Sequence, residues 1–306
     1  MVSHLILRID LGAKMDIRTK VCFSLSKKLM PPPAQRTVNY DAYGDWRGTS
    51  LTKSFDVFSN SSVKGKYVLD FGCGDGHLSL FLAKEKQPAR ILGVDISVPA
   101  INRAKESLNK TIIPKGASID FVLGSTDGLP VPKNSIDTLL AFDCLEHVMS
   151  PTEILNEWYR VLRPEGRCLI EWFPYKGPWG PHMEALIPVP WAHVFFGENA
   201  MFRAAEAIYD LPEFIPRHWD LDENGKKKAN KWRAWSSFRE QGYINKLGLQ
   251  EFRRIATDAG FKVDRFEKHS FGGSFFRRNA GKLLMSLPLI GEYFVSYVII
   301  ELVKPK

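Results

Sequence analysis

Val68-Leu69-Asp70-Phe71-Gly72-Cys73-Gly74-Asp75-Gly76-His77 decides how this 306-residue chain folds: an apolar run stops at three alternating glycines, and helical spacing begins behind them. Glycine adopts left-handed backbone without steric cost, and lacking a Cβ it lets a ligand come up against bare backbone. The turn opens a helix, whose N–H groups and positive dipole end are expected to face that ligand. Outward from here the pattern repeats. Strands are expected at 67–71, 90–95, 119–123, 138–142 and 167–173, with helices at 78–84, 100–108 and 151–162. Strands alternating with helix-length segments make βαβ units and a parallel sheet, and right-handed crossovers put helices on both faces. The helix at 151–162 should end at Leu162-Arg163-Pro164-Glu165-Gly166, Pro stopping it and Gly allowing the turn into the next strand.

The second strand closes on Gly93-Val94-Asp95-Ile96. A carboxylate at that point can accept both hydroxyls of a ribose. Two cofactors compete for the loop. A dinucleotide loop wants GxGxxG, its third glycine packing helix on strand and its backbone cradling a pyrophosphate; here the spacing is GxGxG and the sixth position is His77. Asp70, two residues before the first glycine, would repel a pyrophosphate but suits a cationic amino group. That points to S-adenosylmethionine.

VLDFGCGDG (68–76), GVDIS (93–97), GSTDGLPVPKNSID (124–137), FDCLEHV (142–148) and LRPEG (162–166) stand in the order and spacing of a known set of motifs. In them the chain resembles a class I S-adenosylmethionine-dependent methyltransferase, in particular the broad type-11 small-molecule group, over about 60–173 and again from about 247. The resemblance implies a Rossmann-like α/β fold: a seven-stranded, mostly parallel sheet with helices on both faces. It implies that Asp70 and the turn of Gly72, Cys73, Gly74 and Gly76 hold the methionine part, that Asp95 binds the ribose and that Ile96 presses on the adenine. The family commonly has an acid where this chain has Ser125. The adenine amino group then falls to the Ser125 hydroxyl, with Thr126 beside it, or to Asp127. Phe142 matches the position whose backbone carbonyl meets the cofactor's amino group. The product would be S-adenosylhomocysteine.

Four segments follow: a leader and cap (1–60), the cofactor-binding core (61–173), an aromatic, basic lid (174–246) and the rest of the core (247–306). The leader ends in Pro31-Pro32-Pro33, a stiff stop, and Met15 is an alternative start. Arg8 and Asp10 break the first apolar run, so no signal peptide is read. The run 293–303 falls short of the roughly 20 residues a spanning helix needs. Cys22, Cys73, Cys144 and Cys168 form no CxxC pair, which removes a zinc ribbon or a disulfide framework and makes a reducing cytoplasm the default. Hydrophobic residues at 44% and charged residues at 25% exclude a disordered chain and a membrane bundle. The stretch 172–235 holds six of the eight Trp and seven of the 19 Pro, so it is an insertion and not another βα unit. Helical spacing returns at 198–209 and 249–259, the latter ending on Gly260, and strands are expected at 261–267 and 296–302.

The acceptor side is less legible. His182 in the lid is a candidate general base, since imidazole suits removing a hydroxyl proton as the methyl arrives. His147 either faces the reaction pocket or packs at the start of the following helix. A metal reading with His182, Glu184 and His193 lacks a helical i, i+4 pair, and no metal is expected. Asp137 is explained by turn chemistry. Tyr40, Tyr43 and Trp46 either close over the cofactor or pack on the sheet edge. The net charge is +8, of which 217–254 contributes ten bases against five acids; such a stretch, with Trp232 and Trp235 interleaved, is a solvated face or binds RNA. Residues 275–294 mix bases and apolar side chains, as a sheet cover or a membrane-interface helix does. The preferred function is O-methylation of a small or lipid-like molecule by in-line transfer. The rivals are an RNA methyltransferase and a cofactor-binding protein without catalysis.

Overall fold

Seven runs of alternating or continuous apolar residues pair into one sheet: β1 (Tyr67–Phe71), β2 (Arg90–Asp95), β3 (Ser118–Leu123), β4 (Ile136–Phe142), β5 (Leu162–Trp172), β6 (Lys262–His269) and β7 (Tyr297–Val303). The computed structural model describes residues 15–58, 62–125, 128–272 and 275–306. The strand order is β3-β2-β1-β4-β5-β7-β6, with β7 antiparallel to both neighbours and the other pairs parallel. From β1 the chain runs outward to β3, then returns to β4 on the other side of β1. A crevice therefore opens at the carboxyl ends of β1 and β4, where ligands bind in sheets of this kind. The mostly parallel Rossmann-like sheet expected from the motifs is the one observed.

The helices are α1 (Ile17–Leu29), α2 (Gln35–Val38), α3 (Tyr40–Asp56), α4 (His77–Glu85), α5 (Val98–Asn109), α6 (Pro151–Val161), α7 (Ala192–Phe195), α8 (Glu198–Tyr209), α9 (Phe238–Gln241), α10 (Leu249–Asp258) and α11 (Phe275–Met285). Ser97 caps α5 by accepting from the Ala100 N–H, and Pro151 opens α6 where no N–H is needed. One face of the sheet buries Leu69, Leu139, Ile170 and Ile300 under Trp158 of α6 and Phe252 of α10. The other buries Val68, Leu140, Leu169 and Ile299 under Leu78 and Leu82 of α4 and Leu51 and Phe55 of α3. Burying each such side chain is worth about 1.5–3 kcal/mol, so the strands that carry the crevice are its firmest part. Gly260, at φ +100°, ends α10 as expected.

Two local expectations fail. α6 stops at Val161, ahead of Pro164, and runs directly into β5, within whose first residues the left-handed one is Glu165, at φ +64°, not Gly166. Gly166 is needed for space, because a Cβ there would lie 2.8 Å from the Arg163 carbonyl. Asp137 is likewise no turn residue. It sits inside β4, accepts the Tyr67 N–H at 2.8 Å and pairs with Arg163, pinning the entry of β1.

A separate apolar core holds the lid. Met183, Leu186, Ile187, Phe202, Ile208, Trp232 and Phe238 are buried together with Cys22 of α1, which packs along α8. Among the described residues no helix is long and apolar enough to cross a membrane. Leu283, Leu289 and Ile290, in α11 and the turn after it, are exposed.

Candidate active site

The glycine loop is left-handed at all three positions, φ +70°, +52° and +77° for Gly72, Gly74 and Gly76. The three have different reasons. A Cβ on Gly72 would meet the Cys144 Cβ at 2.7 Å and one on Gly76 the Phe121 ring at 2.5 Å, whereas one on Gly74 meets nothing within 4 Å. Gly74 is thus the point at which backbone faces open space. Four N–H groups of the turn itself are already engaged. Gly72 and Cys73 both donate to the Val94 carbonyl, Gly74 to Asp95 Oδ2 at 2.8 Å, and Gly76 to the Cys73 carbonyl. A loop with these donors already engaged offers poor binding to a pyrophosphate and suits a ligand without phosphates.

Asp95 is a brace as well as a candidate ligand. Its Oδ1 accepts the Ser97 N–H at 2.8 Å while Oδ2 holds Gly74, so one carboxylate fixes the loop, the end of β2 and the start of α5. Each oxygen has a second lone pair, enough for two ribose hydroxyls. Ile96 beside it is 79% exposed, an apolar face to be covered. Asp70 is buried below the loop, where Ser79 Oγ donates to its Oδ2 at 2.6 Å. Burial pushes its carboxyl up to about 6, against the pull of the Ser79 hydroxyl. Cys73 and Phe142 are buried beside the loop. Ser125 forms a bridge with Gly128, and the Gly124 N–H donates to the Asp95 carbonyl. Thr126 and Asp127 lie outside the described residues.

Asp75 was not foreseen. It receives Nε and Nη2 of Arg103 from α5, at 3.1 and 2.9 Å, and the hydroxyl of Tyr40. The first turn of α3 is thereby tied to the glycine loop. Tyr43 packs on His218 and Trp219 of the lid, at 4.8 and 6.0 Å between ring centres, and on Trp46. These aromatics join α3 to the lid above the loop.

On the acceptor side, the segment after β4 collects polar side chains from three parts of the chain. Asp143, at φ +52°, pairs with Arg47 of α3 at 2.5 Å. Burial raises the Asp143 carboxyl, but Arg47 and His182 outweigh it and hold it below the usual range. Glu146 is 1% exposed, and neither carboxylate oxygen makes a well-formed hydrogen bond. Burial and the neighbouring Asp143 charge raise it well above an ordinary carboxylate. His182 comes down from the lid with Nε2 3.6 Å from Glu146 Oε1, and its ring meets His147 and Phe173 edge-on, both at 5.5 Å. His147 bonds the Tyr243 carbonyl through Nδ1 at 2.9 Å and stacks on the Tyr243 ring. Burial lowers both imidazoles, His182 to about 4, so both are neutral at physiological pH. Cys144 Sγ reaches the Phe71 carbonyl at 3.4 Å, so this cluster begins one residue from the glycine loop.

Both candidate histidines thus stand in one cluster. His193 does not join them. It packs against Tyr175 within the lid core, and Glu184, raised to about 7 chiefly by burial and further by the Asp143 charge, lines a small cavity together with His193. Arg47 and Tyr243 were missed. Their only sequence signal is the helical repeat of Tyr40, Tyr43 and Arg47 along one face of α3 and the lone aromatic near the lid's end.

The basic stretch is largely spent internally. Lys227 donates to the Tyr209 carbonyl at 2.8 Å, Lys228 to the Trp219 carbonyl at 3.0 Å and Lys231 to Asp220 at 2.9 Å. Arg233 pairs with Asp210 at 2.5 Å, and Lys246 with Glu198. Trp232 is buried.

Residues 69–170 match the sequence model of a family described as a methyltransferase domain. The chain is 28% identical over 214 residues to a demethylmenaquinone methyltransferase of Listeria welshimeri, spanning 69% of this chain and 76% of that one. It is 35% identical over 109 residues to a probable methyltransferase, ltbC, of Aspergillus luteorubrus, spanning 34% and 38%. It is also 33% identical over 108 residues to an S-adenosyl-L-methionine-dependent Diels-Alderase, iccD, of Talaromyces variabilis, spanning 35% and 36%. Among solved structures, an S-adenosylmethionine-dependent methyltransferase of Methanosarcina mazei is similar with a TM-score of 0.49 and 17% identity, over 81% of this chain and 97% of that one.

Proposed function

We propose that the chain is a class I S-adenosylmethionine-dependent methyltransferase, a reading supported by the methyltransferase-domain family matched over residues 69–170, and that it methylates an oxygen of a small, flat or lipid-like acceptor. The observation that carries this is the cluster of Glu146, His147 and His182 beside the glycine loop and under the lid. A sulfonium is already an activated donor, so the protein's part is alignment and exclusion of water. Orientation supplies about 7–11 kcal/mol of the barrier reduction. A hydroxyl acceptor must also lose a proton, and a group that takes it contributes about a hundredfold or more. Two neutral imidazoles and a carboxyl in a buried corner are the groups at hand for that proton.

In this reading Asp70 and the 72–76 turn hold the methionine end, Asp95 the ribose and Ile96 the adenine. The lid, residues 174–246, selects the acceptor. The quinone in the Listeria relatives' name supports a ring-bearing, lipid-like acceptor. The internal use of Lys227, Lys228 and Lys231 supports a small molecule over RNA, because bases bonded to their own lid are poorly placed to bind phosphates. The test is incubation with methyl-labelled cofactor and fractionated cell extract. Label is expected in a base-stable ether of a small molecule. Label confined to RNA, or none transferred to any fraction, would refute the proposal.

A further inference from the structure

We propose that Glu146, His147 and His182 form a binding site for one divalent first-row transition-metal ion, to which the acceptor's oxygen coordinates beside the methyl donor. Among the described residues these three offer ligand atoms that all lie within 4.8 Å of one another.

Four observations build the site. First, Glu146 is 1% exposed with no well-formed hydrogen bond to either oxygen, and the side chain it faces is a second carboxyl, Asp143, so a proton or a cation has to stand between the two acids. Second, His182 Nε2 stands 3.6 Å from Glu146 Oε1, long for a hydrogen bond. Two atoms each ~2.1 Å from one ion stand roughly 3.0–3.4 Å apart, so this pair closes on an ion with a shift of a few tenths of an ångström. Third, the Tyr243 carbonyl accepts from His147 Nδ1 at 2.9 Å, which leaves the Nε2 lone pair for the cluster, the usual way a ligating imidazole is oriented from behind. Fourth, the turn that carries Glu146 and His147 is locked. Asn245 is buried, its amide donates to the Leu145 and Val148 carbonyls at 2.7 and 2.8 Å, and its N–H donates to the Glu146 carbonyl at 2.9 Å. Rigid support of this sort is what a precise site requires.

The donor set names the class of ion. Two imidazoles and one carboxylate suit Zn²⁺, Fe²⁺, Mn²⁺ or Co²⁺ and leave positions open, whereas Mg²⁺ and Ca²⁺ favour oxygen alone. The remaining charges nearby are Arg47 and Asp143, which neutralise each other at 2.5 Å. The ion's role rests on the O-methylation reading. With Glu146, His147 and His182 holding it, the ion would take over the part of these groups as proton acceptors: it would acidify a coordinated hydroxyl, whose proton would leave to a water in one of the ion's open positions, while the oxygen forms the bond to the methyl carbon and the carbon–sulfur bond breaks with its electron pair left on sulfur.

Binding itself is tested without turnover. The full-length protein is stripped with a chelator and titrated with Co²⁺ and then Zn²⁺, read by calorimetry and by visible absorption of the cobalt. One equivalent of Co²⁺ is expected, displaced by Zn²⁺. Glu146→Gln and His182→Gln should each weaken uptake by more than the ~10–100-fold that loss of a ligand's outer hydrogen bond costs. His193→Gln, a histidine outside the cluster, should leave it unchanged. No stoichiometric uptake by the wild type, or uptake unaltered in either cluster variant, overturns the site. Neither result touches the methyl-transfer reading, which the labelled-cofactor experiment decides. Should Glu146→Gln not fold, the wild-type stoichiometry and His182→Gln still decide.

Discussion

Substituting Gly74 and Gly76 by alanine separates what the glycine loop does for the fold from what it does for the ligand. Both residues have positive φ, +52° and +77°, so each alanine carries a left-handed strain of about 1–2 kcal/mol. Beyond that they diverge. The new methyl at Gly76 lies 2.5 and 2.8 Å from two Phe121 ring carbons and 3.1 Å from the Ala104 Cβ. Phe121 is fully buried, so the ring cannot swing away, and overpacking adds about 1–3 kcal/mol. Gly76→Ala should therefore lose about 2–5 kcal/mol of stability. At Gly74 the methyl meets no protein atom within 4 Å, so stability falls by the strain alone, but the methyl fills the space the cofactor approaches. Urea unfolding and cofactor calorimetry on both variants make the check. Gly74→Ala is expected to fold nearly normally and bind cofactor at least ~10-fold more weakly, and Gly76→Ala to be the less stable of the two. Normal cofactor affinity in Gly74→Ala would refute the claim that this backbone faces the ligand.

The pH dependence of cofactor affinity follows from Asp70. Its carboxyl sits at about 6 in the free protein, and a cationic amino group favours the ionised form. Affinity should therefore be full above that pH and fall about tenfold per unit below it; for folding alone the sign is opposite, since a raised carboxyl favours the folded state more as pH drops from about 6 toward its unfolded value of 3.8. Ser79→Ala removes the hydroxyl that pulls Asp70 down, so the midpoint should move to higher pH, as calorimetry across pH will read; an unmoved midpoint means Asp70 is not the group. Lys227→Ala and Lys231→Ala should lower the melting temperature, because they release the Tyr209 carbonyl and Asp220, which is buried. Neither should change retention on RNA at low salt, and a salt-sensitive loss of retention would instead assign these bases to an RNA surface.

Much of the core was readable because its signals are local. An apolar run, a glycine spacing and a following helical period lie within a few residues, so β1, α4 and the loop between them could be placed from 68–77 alone, and Asp95 from the next strand. What was not readable depends on contacts far apart in the chain. Arg47 meets Asp143 and Tyr40 meets Asp75 only because α3 folds back over the loop. His182 reaches Glu146 only because the lid descends onto β4. By its composition the charge run at 226–233 is either a solvated face or a surface for RNA. Its members instead satisfy carbonyls and acids of the lid, a choice no spacing reveals. Glu165 taking the left-handed turn in place of Gly166 shows that a glycine near a bend need not be the residue that bends.

Everything rests on the crevice at the carboxyl ends of β1 and β4 holding S-adenosylmethionine through Asp95 at the end of the neighbouring β2. Two ribose hydroxyls bonded to this carboxylate are worth about 1.5–3 kcal/mol each, which is at least ~100-fold in affinity. Calorimetric titration of the wild type and of Asp95→Ala with the cofactor tests this most directly. The wild type should bind one equivalent and the variant, still folded, at least ~100-fold more weakly; equal affinity in the two would contradict the account.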